Sequence, residues 1–450
     1  MARRHWQEVR VTRWLRALIL VVPLGLAASA QAPAPAPARG SAASTVAATP
    51  QSVGIAPARL ERLHHGMQAL VDRHEAGGIV TLIAREGKVV DVHASGFQDV
   101  ESRTPMRADT LFRIASMTKP ITSVAVMMLY EEGKLLLTDP VSKFIPAFKS
   151  QKVQPAGPDA PAEPAPARRD ATIRDLLSHR SGLTYGFLNG GAVGNAYRKS
   201  NVPDGLAQTS LTLAQAMDAL AAQPLVSQPG AAFNYSLSTD VLGRVVEVVS
   251  GQTLDAFFRE RIFTPLGMND TGFEVPAAKW SRLATVYSPD GAGGIRPMKD
   301  PETFGNTVMS PIDWYKAPKT YFSGGAGLVS TARDYARFAQ MLLNGGTLDG
   351  ARLLGPKTIE LMTTSHTSDI QAGPLVGAGA QFGLGFRVVT DVGATQTLGS
   401  NGIYGWSGIY GTVFWVDPGE KLVAIMLVQR YPGSPVANAF QPLVYQSLVR

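Results

Sequence analysis

A serine and a lysine three positions apart, Ser116 and Lys119, could form a nucleophile with its own base. They stand at the start of a helix predicted over residues 116–132. Residues i and i+3 of a helix lie on one face with Cβ atoms roughly 5–6 Å apart, so the amine can reach the hydroxyl. Pro120 is tolerated there because the backbone N–H groups of a first helical turn lack helical acceptors. A serine hydroxyl is a poor nucleophile, and a desolvated, unprotonated lysine would activate it.

The spacing alone leaves two interpretations open. The free N–H groups of the first turn direct positive potential at Ser116, which would lower the pKa of Lys119 and stabilise an oxyanion. A serine that caps the helix, followed by a surface lysine, has the same spacing and is the more common case in isolation. Only the surrounding sequence can distinguish a catalytic pair from a helix cap.

Six blocks of sequence, in order over residues 50–450, carry a family resemblance. They resemble the class C β-lactamases and family VIII carboxylesterases of the serine β-lactamase-like superfamily, whose penicillin-binding relatives share the S-x-x-K motif. The blocks are FRIASMTK (112–119), LLSHRSGL (176–183), FNYSLS (233–238), PLGMNDT (265–271), GAGLVST (325–331) and GWSG (405–408). The resemblance implies a β-lactamase-like fold and an acyl-enzyme mechanism.

The resemblance also implies roles for individual residues. Ser116 would attack the acyl carbonyl, Lys119 would accept a proton and Tyr235 would be the third catalytic group. The oxyanion would rest on the backbone N–H groups of Ser116 and Ile409. An unperturbed phenol has a pKa of ~10, so it is a poor base. Whether Lys119 or Tyr235 removes the serine proton stays open, and the two can titrate as a unit. No cofactor and no metal are expected.

Two motifs depart from the penicillin-recognising pattern, and both departures concern the substrate. Leu237 stands where the Y-x-N motif has asparagine, so an amide that would bond a β-lactam side chain is missing. Trp406, Ser407 and Gly408 stand where K-T-G supplies a lysine for the penicillin carboxylate, and an indole cannot replace that charge. We therefore expect Leu237, Trp406, Ser407, Gly408 and Ile409 to surround an uncharged ester, with the glycine permitting close backbone approach.

The function predicted from these residues is that of a carboxylesterase acting on small esters through a Ser116 acyl-enzyme. One alternative is a β-lactamase, D-aminopeptidase or D,D-carboxypeptidase acting on cell-wall-like amides. A second alternative is an inactive penicillin-binding-like protein. The expected partner is a small-molecule ester or amide, and the sequence leaves the oligomeric state open.

Composition excludes several other chemistries. The 450 residues are 45% apolar and 17% charged, enough to bury a sizeable core. There is no cysteine, which excludes disulfides, cysteine zinc sites and a cysteine nucleophile. Neither G-x-S-x-G nor H-E-x-x-H occurs, which argues against an α/β-hydrolase elbow and a zinc hydrolase. Of the 42 Lys and Arg residues, five lie in residues 1–30, as does one of the 35 Asp and Glu, so the remainder has a net charge of only +3. No nucleic-acid partner is expected.

The first thirty residues predict export. Five arginines precede an apolar run over residues 17–27, which is too short to span a ~30 Å hydrocarbon core. Ala28, Ser29 and Ala30 then form a small-x-small cleavage site. We expect a signal peptide over residues 1–30, a periplasmic or secreted mature protein, and no membrane span after cleavage. An uncleaved anchor is the alternative.

The remaining chain predicts elements that would position the site. Residues 31–50 read as an Ala/Pro-rich linker and residues 51–450 as one β-lactamase-like domain, interrupted by an exposed Pro-rich insertion at 154–168. A helix at 57–74 and a hairpin of strands at 79–84 and 88–94 precede mainly helical sequence. Strands at 383–389, 411–416 and 422–429 and a helix at 437–449 follow. This order predicts an α/β (α+β) fold with an antiparallel sheet built from both chain ends, flanked by helices, and a mostly helical lobe inserted at about 115–320.

Overall fold

Both ends of the chain build one eight-stranded antiparallel sheet. The computed structural model describes residues 48–154, 163–432 and 436–449. In chain order the strands of this sheet are β1 (Gly78–Arg85), β2 (Lys88–Asp99), β3 (Thr104–Pro105), β4 (Ala380–Phe382), β5 (Arg387–Val389), β6 (Tyr404–Ser407), β7 (Val413–Asp417) and β8 (Leu422–Val428). Their spatial order is β4-β5-β6-β7-β8-β1-β2-β3. The N-terminal and C-terminal parts therefore join where β1 pairs with β8.

The central strands are buried along their whole length. β1 (GIVTLIAR) and β8 (LVAIMLV) are almost entirely apolar, and every residue of both is buried. A strand covered on both faces requires such a continuous apolar run, because successive side chains point to opposite faces. These two strands therefore fix the middle of a three-layer arrangement of helices, sheet and helices.

Thirteen helices lie in the described part of the chain. They are α1 (Pro57–Asp72), α2 (Thr118–Glu131), α3 (Ile173–Leu177), α4 (Ala192–Lys199), α5 (Leu213–Ala221), α6 (Ser238–Ser250), α7 (Leu254–Phe258), α8 (Thr264–Leu266), α9 (Asp313–Lys316), α10 (Ala332–Leu343), α11 (Pro356–Met362), α12 (Val392–Thr395) and α13 (Val436–Tyr445). A π-helical segment, Arg259–Phe263, joins α7 to α8. None of these helices is both long enough and apolar enough for a membrane span.

Helices pack on both faces of the sheet. Ile79 and Ile83 of β1 share a core with apolar residues of α1 and α13. Val80 and Leu82 of the same strand belong to the larger core that includes residues of α2, α5, α6 and α10. The alternation of the strand thus sends its side chains into two separate cores. The helix that begins near Ser116, α2, lies in the larger one.

A short two-stranded ladder holds the segment that leads to Ser116. Phe112–Arg113 pairs with Val329–Ser330, and the N–H of Ile114 donates to the carbonyl of Leu328 at 3.0 Å. These contacts fix the position of the chain directly before α2.

Four similar ladders lie elsewhere in the described ranges: Lys152–Val153 with Ala165–Pro166, Tyr287–Pro289 with Ile295–Pro297, Glu302–Phe304 with Thr307–Met309, and Thr347–Leu348 with Ala351–Arg352.

The predicted antiparallel sheet from both chain ends is confirmed, but one predicted strand is wrong. Residues 383–389 form a turn and only the short strand β5, because the N–H of Gly383 donates to the carbonyl of Phe386 at 2.8 Å and closes a hairpin with β4. Gly385 has φ +97, and a Cβ there would overlap the Ser123 side chain on α2. The turn therefore passes close to this helix, where only glycine fits.

Several predicted segments lie outside the described residues. The signal peptide of residues 1–30 does so, as does the linker of 31–50 except for residues 48–50, and so do residues 155–162 of the insertion. Helices α2 to α9 all fall within residues 115–320. The division into an inserted lobe stays a prediction.

Candidate active site

Ser116 and Lys119 face each other at the start of α2. Ser116 lies in a single 3₁₀ turn, Ala115–Met117, which leads directly into the helix. Lys119 occupies the first helical turn, is 1% exposed, and its Nζ lies 3.1 Å from Ser116 Oγ. The i, i+3 contact expected from the sequence is therefore present.

The residue before Ser116 has a strained backbone. Ala115 has φ +43, in the left-handed region that residues with a Cβ rarely adopt, and it is fully buried. Such a conformation costs of order 1–3 kcal/mol and persists only where the surrounding structure imposes it. Here the ladder before Ala115 and the hydrogen bond from Tyr335 Oη to the carbonyl of Met117 (2.8 Å) fix the chain on both sides.

The surroundings of Lys119 favour a neutral amine. Burial lowers its pKa from 10.5 to about 7, although the nearby Asp240 carboxylate acts in the opposite direction. Nζ also contacts Tyr185 Oη at 2.9 Å and the carbonyl of Gly325 at 2.8 Å. A neutral amine has two N–H donors and one lone pair. The Gly325 carbonyl can only accept, so it takes one N–H of the amine. The lone pair then accepts a hydrogen bond from one of the two hydroxyl groups, that of Ser116 or that of Tyr185. A free lone pair next to Ser116 is what a base requires.

Asp240 on α6 fixes the loop that contacts Lys119. Its Oδ1 accepts hydrogen bonds from Tyr321 Oη (2.9 Å), Ser323 Oγ (2.6 Å) and the N–H of Gly325 (3.4 Å). Burial raises the pKa of this carboxyl group, and the hydrogen bonds partly offset that effect. Because Gly325 uses its carbonyl for Lys119, the carboxylate positions one of the three contacts of the amine.

Tyr235 lies beside the same amine. Lys119 Nζ is 4.5 Å from the centroid of the Tyr235 ring, and Trp406 Nε1 donates to Tyr235 Oη at 3.1 Å. Burial raises the pKa of Tyr235, whereas hydrogen bonds with Ser116 and Trp406 lower it, and burial is the largest effect. The group is therefore a phenol with a proton to donate. Buried His179, with its ring centroid 4.8 Å from that of Tyr235, supports the ring.

The third block lies at the end of strand β6 and the turn after it. Trp406 and Ser407 belong to the strand, and Gly408 follows it. A Cβ on Gly408 would overlap the carbonyl of Ile114 and the hydroxyl of Thr412, so no other residue fits without movement. This close approach brings β6 against the segment that carries Ser116.

Two backbone N–H groups are free at this junction. Those of Ser116 and Ile409 have no acceptor among the described residues, although the N–H of Gly408 donates to the carbonyl of Thr412. Both residues line one pocket. They are the two groups that the resemblance implies for an oxyanion, and donors without a protein partner are what such a site needs.

The pocket above Ser116 has a volume of about 220 Å³. Its lining consists of Ser116, Tyr185, Phe187, Leu188, Asp204, Leu206, Tyr235, Ala326, Leu375, Trp406, Ser407, Gly408 and Ile409. Lys119 reaches Ser116 from the protein interior. Leu237 is not on the wall: it is 1% exposed and belongs to the core, because it directly precedes the buried helix α6. The structure thus brings together every predicted site residue except Leu237.

Sequence reasoning missed three side chains of this site: Tyr185, Asp204 and Asp240. Tyr185 follows the LLSHRSGL block by two residues, and Asp240 follows Tyr235 by five. Both stand near a recognisable block, which is the only signal that could have indicated them. Asp204 lies in sequence without any motif. Within the described ranges, no group of three or more His, Asp or Glu side chains could hold a metal ion.

Comparison with known proteins identifies the family to which the chain belongs. The sequence profile of the family described as Beta-lactamase matches residues 64–444. The protein belongs to the beta-lactamase family. Esterase EstB of Burkholderia gladioli is 34% identical over 388 residues, covering 84% of this chain and 93% of EstB. A putative D-alanyl-D-alanine carboxypeptidase of Escherichia coli K12 is 29% identical over 409 residues, covering 87% of this chain and 86% of that protein.

A solved structure agrees in fold as well as in sequence. EstCE1, a hydrolase with promiscuous acyltransferase activity, is similar with a TM-score of 0.75 and 34% identity, over 86% of this chain and 98% of EstCE1. The serine β-lactamase-like superfamily and its fold, both predicted from the sequence, are thereby confirmed. These relatives support a hydrolase of that superfamily.

Proposed function

We propose that this protein is a carboxylesterase that cleaves small esters through an acyl-enzyme on Ser116. The observation that carries the proposal is a buried amine placed 3.1 Å from a serine hydroxyl that lines a pocket, and burial lowers the pKa of that amine to about 7. A serine needs an adjacent base to act as a nucleophile, and a base is most effective when its pKa is near the working pH. The esterase EstB and the hydrolase EstCE1 are relatives of the same type.

The arrangement supports a complete cycle. Lys119 takes the Ser116 proton as Oγ attacks the ester carbonyl, and the N–H groups of Ser116 and Ile409 stabilise the oxyanion. The tetrahedral intermediate collapses, and the departing alkoxide receives a proton from the Lys119–Tyr235 pair. Because burial raises the pKa of Tyr235, its phenol contributes a proton rather than a phenolate base. Water then attacks the acyl-enzyme and loses a proton to Lys119. The second tetrahedral intermediate breaks its bond to Oγ and releases the acid, and Lys119 returns the proton to Ser116.

The pocket wall favours an ester over an anionic β-lactam. Trp406 stands where penicillin-recognising relatives have a lysine, and no basic side chain is among the residues that line the pocket. A penicillin carboxylate would therefore enter the pocket without a counter-ion, which is unfavourable. The alternative, a peptidase acting on cell-wall-like amides, has the support of the Escherichia coli relative.

An ester assay beside a β-lactam assay tests the proposal. We expect the protein to hydrolyse p-nitrophenyl butyrate and Ser116→Ala to lose that activity, whereas the exposed control Ser200→Ala retains it. Turnover of nitrocefin with a higher kcat/KM than the ester would favour the amide alternative. Retention of esterase activity by Ser116→Ala would remove Ser116 from the role of nucleophile.

We also propose that the enzyme is exported. The support is the sequence of residues 1–30, with its arginines, short apolar run and small-x-small site. Expression of the full chain in a Gram-negative host should give a periplasmic protein whose N-terminus, determined by mass spectrometry, lies near Gln31. A cytoplasmic protein with Met1 intact would contradict this.

A further inference from the structure

We propose that Asp204 is a specificity determinant and that the enzyme prefers esters carrying a protonated amine. The inference rests on the proposed function, because the ammonium group of the substrate would bind in the same pocket in which Ser116 would react with the ester. Asp204 is the only acidic residue among those lining the pocket, and no basic residue is among them.

The carboxylate of Asp204 has capacity for a ligand. Its Oδ1 accepts the backbone N–H of Leu206 at 3.0 Å. No ion pair with a lysine, arginine or histidine forms at this residue in the described ranges, although acidic side chains elsewhere in the protein commonly have one. Oδ2 is therefore available to a hydrogen-bond donor that enters the pocket.

The wall around Asp204 makes an unpaired charge unfavourable. Phe187, Leu206 and Ile409 supply apolar surface, and burial raises the pKa of Asp204 to about 6, with the Asp240 carboxylate adding to that effect. The group is still mostly ionised at pH 7. A carboxylate in such surroundings is stabilised when it is paired and hydrogen-bonded, and a substrate ammonium group would supply both.

A purely local role does not require a charge. The hydrogen bond from Leu206 closes a turn around Gly205, which has φ +81. Asparagine makes the same type of turn through its amide oxygen. Asp204→Asn therefore keeps the turn, removes the charge and replaces Oδ2 by an amide NH2 group that cannot accept a hydrogen bond, which makes it the appropriate variant for a test.

Two isosteric pairs of esters provide the test. In one pair the charged member carries its charge on the alcohol side of the scissile bond, and in the other pair on the acyl side. The alcohol pair is 2-(dimethylamino)ethyl butyrate and 3-methylbutyl butyrate. The acyl pair is ethyl 4-(dimethylamino)butanoate and ethyl 5-methylhexanoate. In at least one pair we expect kcat/KM to favour the cationic ester by about tenfold or more, the effect of one charge-assisted hydrogen bond. This ratio should fall to about one in Asp204→Asn and stay unchanged in Asp218→Asn, a variant of an exposed carboxylate.

A measurement on the native protein covers the case in which Asp204→Asn does not fold. The products should then be compared as competitive inhibitors in two pairs, 2-(dimethylamino)ethanol with 3-methylbutan-1-ol and 4-(dimethylamino)butanoate with 5-methylhexanoate. In at least one pair the member that carries the ammonium group should inhibit at lower concentration. Equal kcat/KM within both ester pairs, or a ratio that Asp204→Asn leaves unchanged, would overturn the inference while leaving the esterase intact. Failure of a fluorophosphonate probe to label Ser116 would instead overturn the proposed function itself.

Discussion

Replacing Lys119 by methionine should abolish activity and, near neutral pH, increase the stability of the fold. Methionine has a similar length and no charge. In the folded protein the pKa of Lys119 is about 7, against an ordinary value of 10.5. From pH 7 to 10.5 the unfolded chain therefore holds a proton that the folded chain does not, so the free energy of unfolding rises with pH over that interval. Methionine has no titrating group, so the unfolding free energy of the variant lacks this dependence on pH.

The size of the effect follows from the same pKa shift. At about 1.4 kcal/mol per pKa unit, the buried amine destabilises the fold by about 4 kcal/mol at pH 7 and by about 1 kcal/mol at pH 9.5. The variant also loses the contacts of Nζ with Ser116, Tyr185 and Gly325, each worth about 1 kcal/mol. Lys119→Met should then be about 1 kcal/mol more stable than the native protein at pH 7 and about 2 kcal/mol less stable at pH 9.5.

Urea unfolding followed by tryptophan fluorescence measures this difference at the two pH values. The exposed control, Lys149→Met, should show no such crossover. The decisive quantity is the change of about 3 kcal/mol between the two pH values, because the hydrogen-bond contribution cancels from it. A change below about 1 kcal/mol, or one of opposite sign, would show that the amine is protonated in the folded protein, and the assignment of Lys119 as base would fail.

Three further outcomes concern activity and packing. kcat/KM for an uncharged ester should rise as the pH increases through about 7, because the neutral form of Lys119 is the base; a flat profile would contradict this. Trp406→Phe removes the donor to Tyr235 Oη and should lower kcat by about tenfold, with an unchanged kcat refuting a role for that contact. Gly408→Ala places a methyl group against Ile114 and Thr412, so thermal unfolding should occur at a lower temperature and esterase activity should be lost; a native melting temperature would refute the packing argument.

The sequence predicts those parts of the fold that have strong local signals. The central strands β1 and β8 are unbroken apolar runs, and α1 has apolar residues at helical spacing, so both types of element are evident without tertiary information. Ser116 and Lys119 are close in sequence, and their contact follows from helix geometry alone. Local pattern was misleading at 383–389, where a turn set by the nearby helix α2 interrupts an apolar stretch.

The chemistry of the site depends on contacts between distant parts of the chain, which local patterns do not encode. Tyr185 and the carbonyl of Gly325 lie 66 and 206 residues beyond Lys119, yet they complete its surroundings. Whether Lys119 or Tyr235 is the base also depends on burial, which lowers the pKa of the amine and raises that of the phenol. Leu237 illustrates the converse case, since its place in a motif did not reveal that its side chain points into the core.

The central claim is that Ser116 becomes acylated, and intact-protein mass spectrometry tests it most directly. The protein should be incubated with a slowly hydrolysed acylating ester, acid-quenched within the first turnovers, and digested to locate the modified peptide. We predict a mass increase of one acyl group on Ser116 in the native protein and none in Ser116→Ala. Turnover of the ester without an acylated intermediate, or an acyl group on any other residue, would contradict the mechanism.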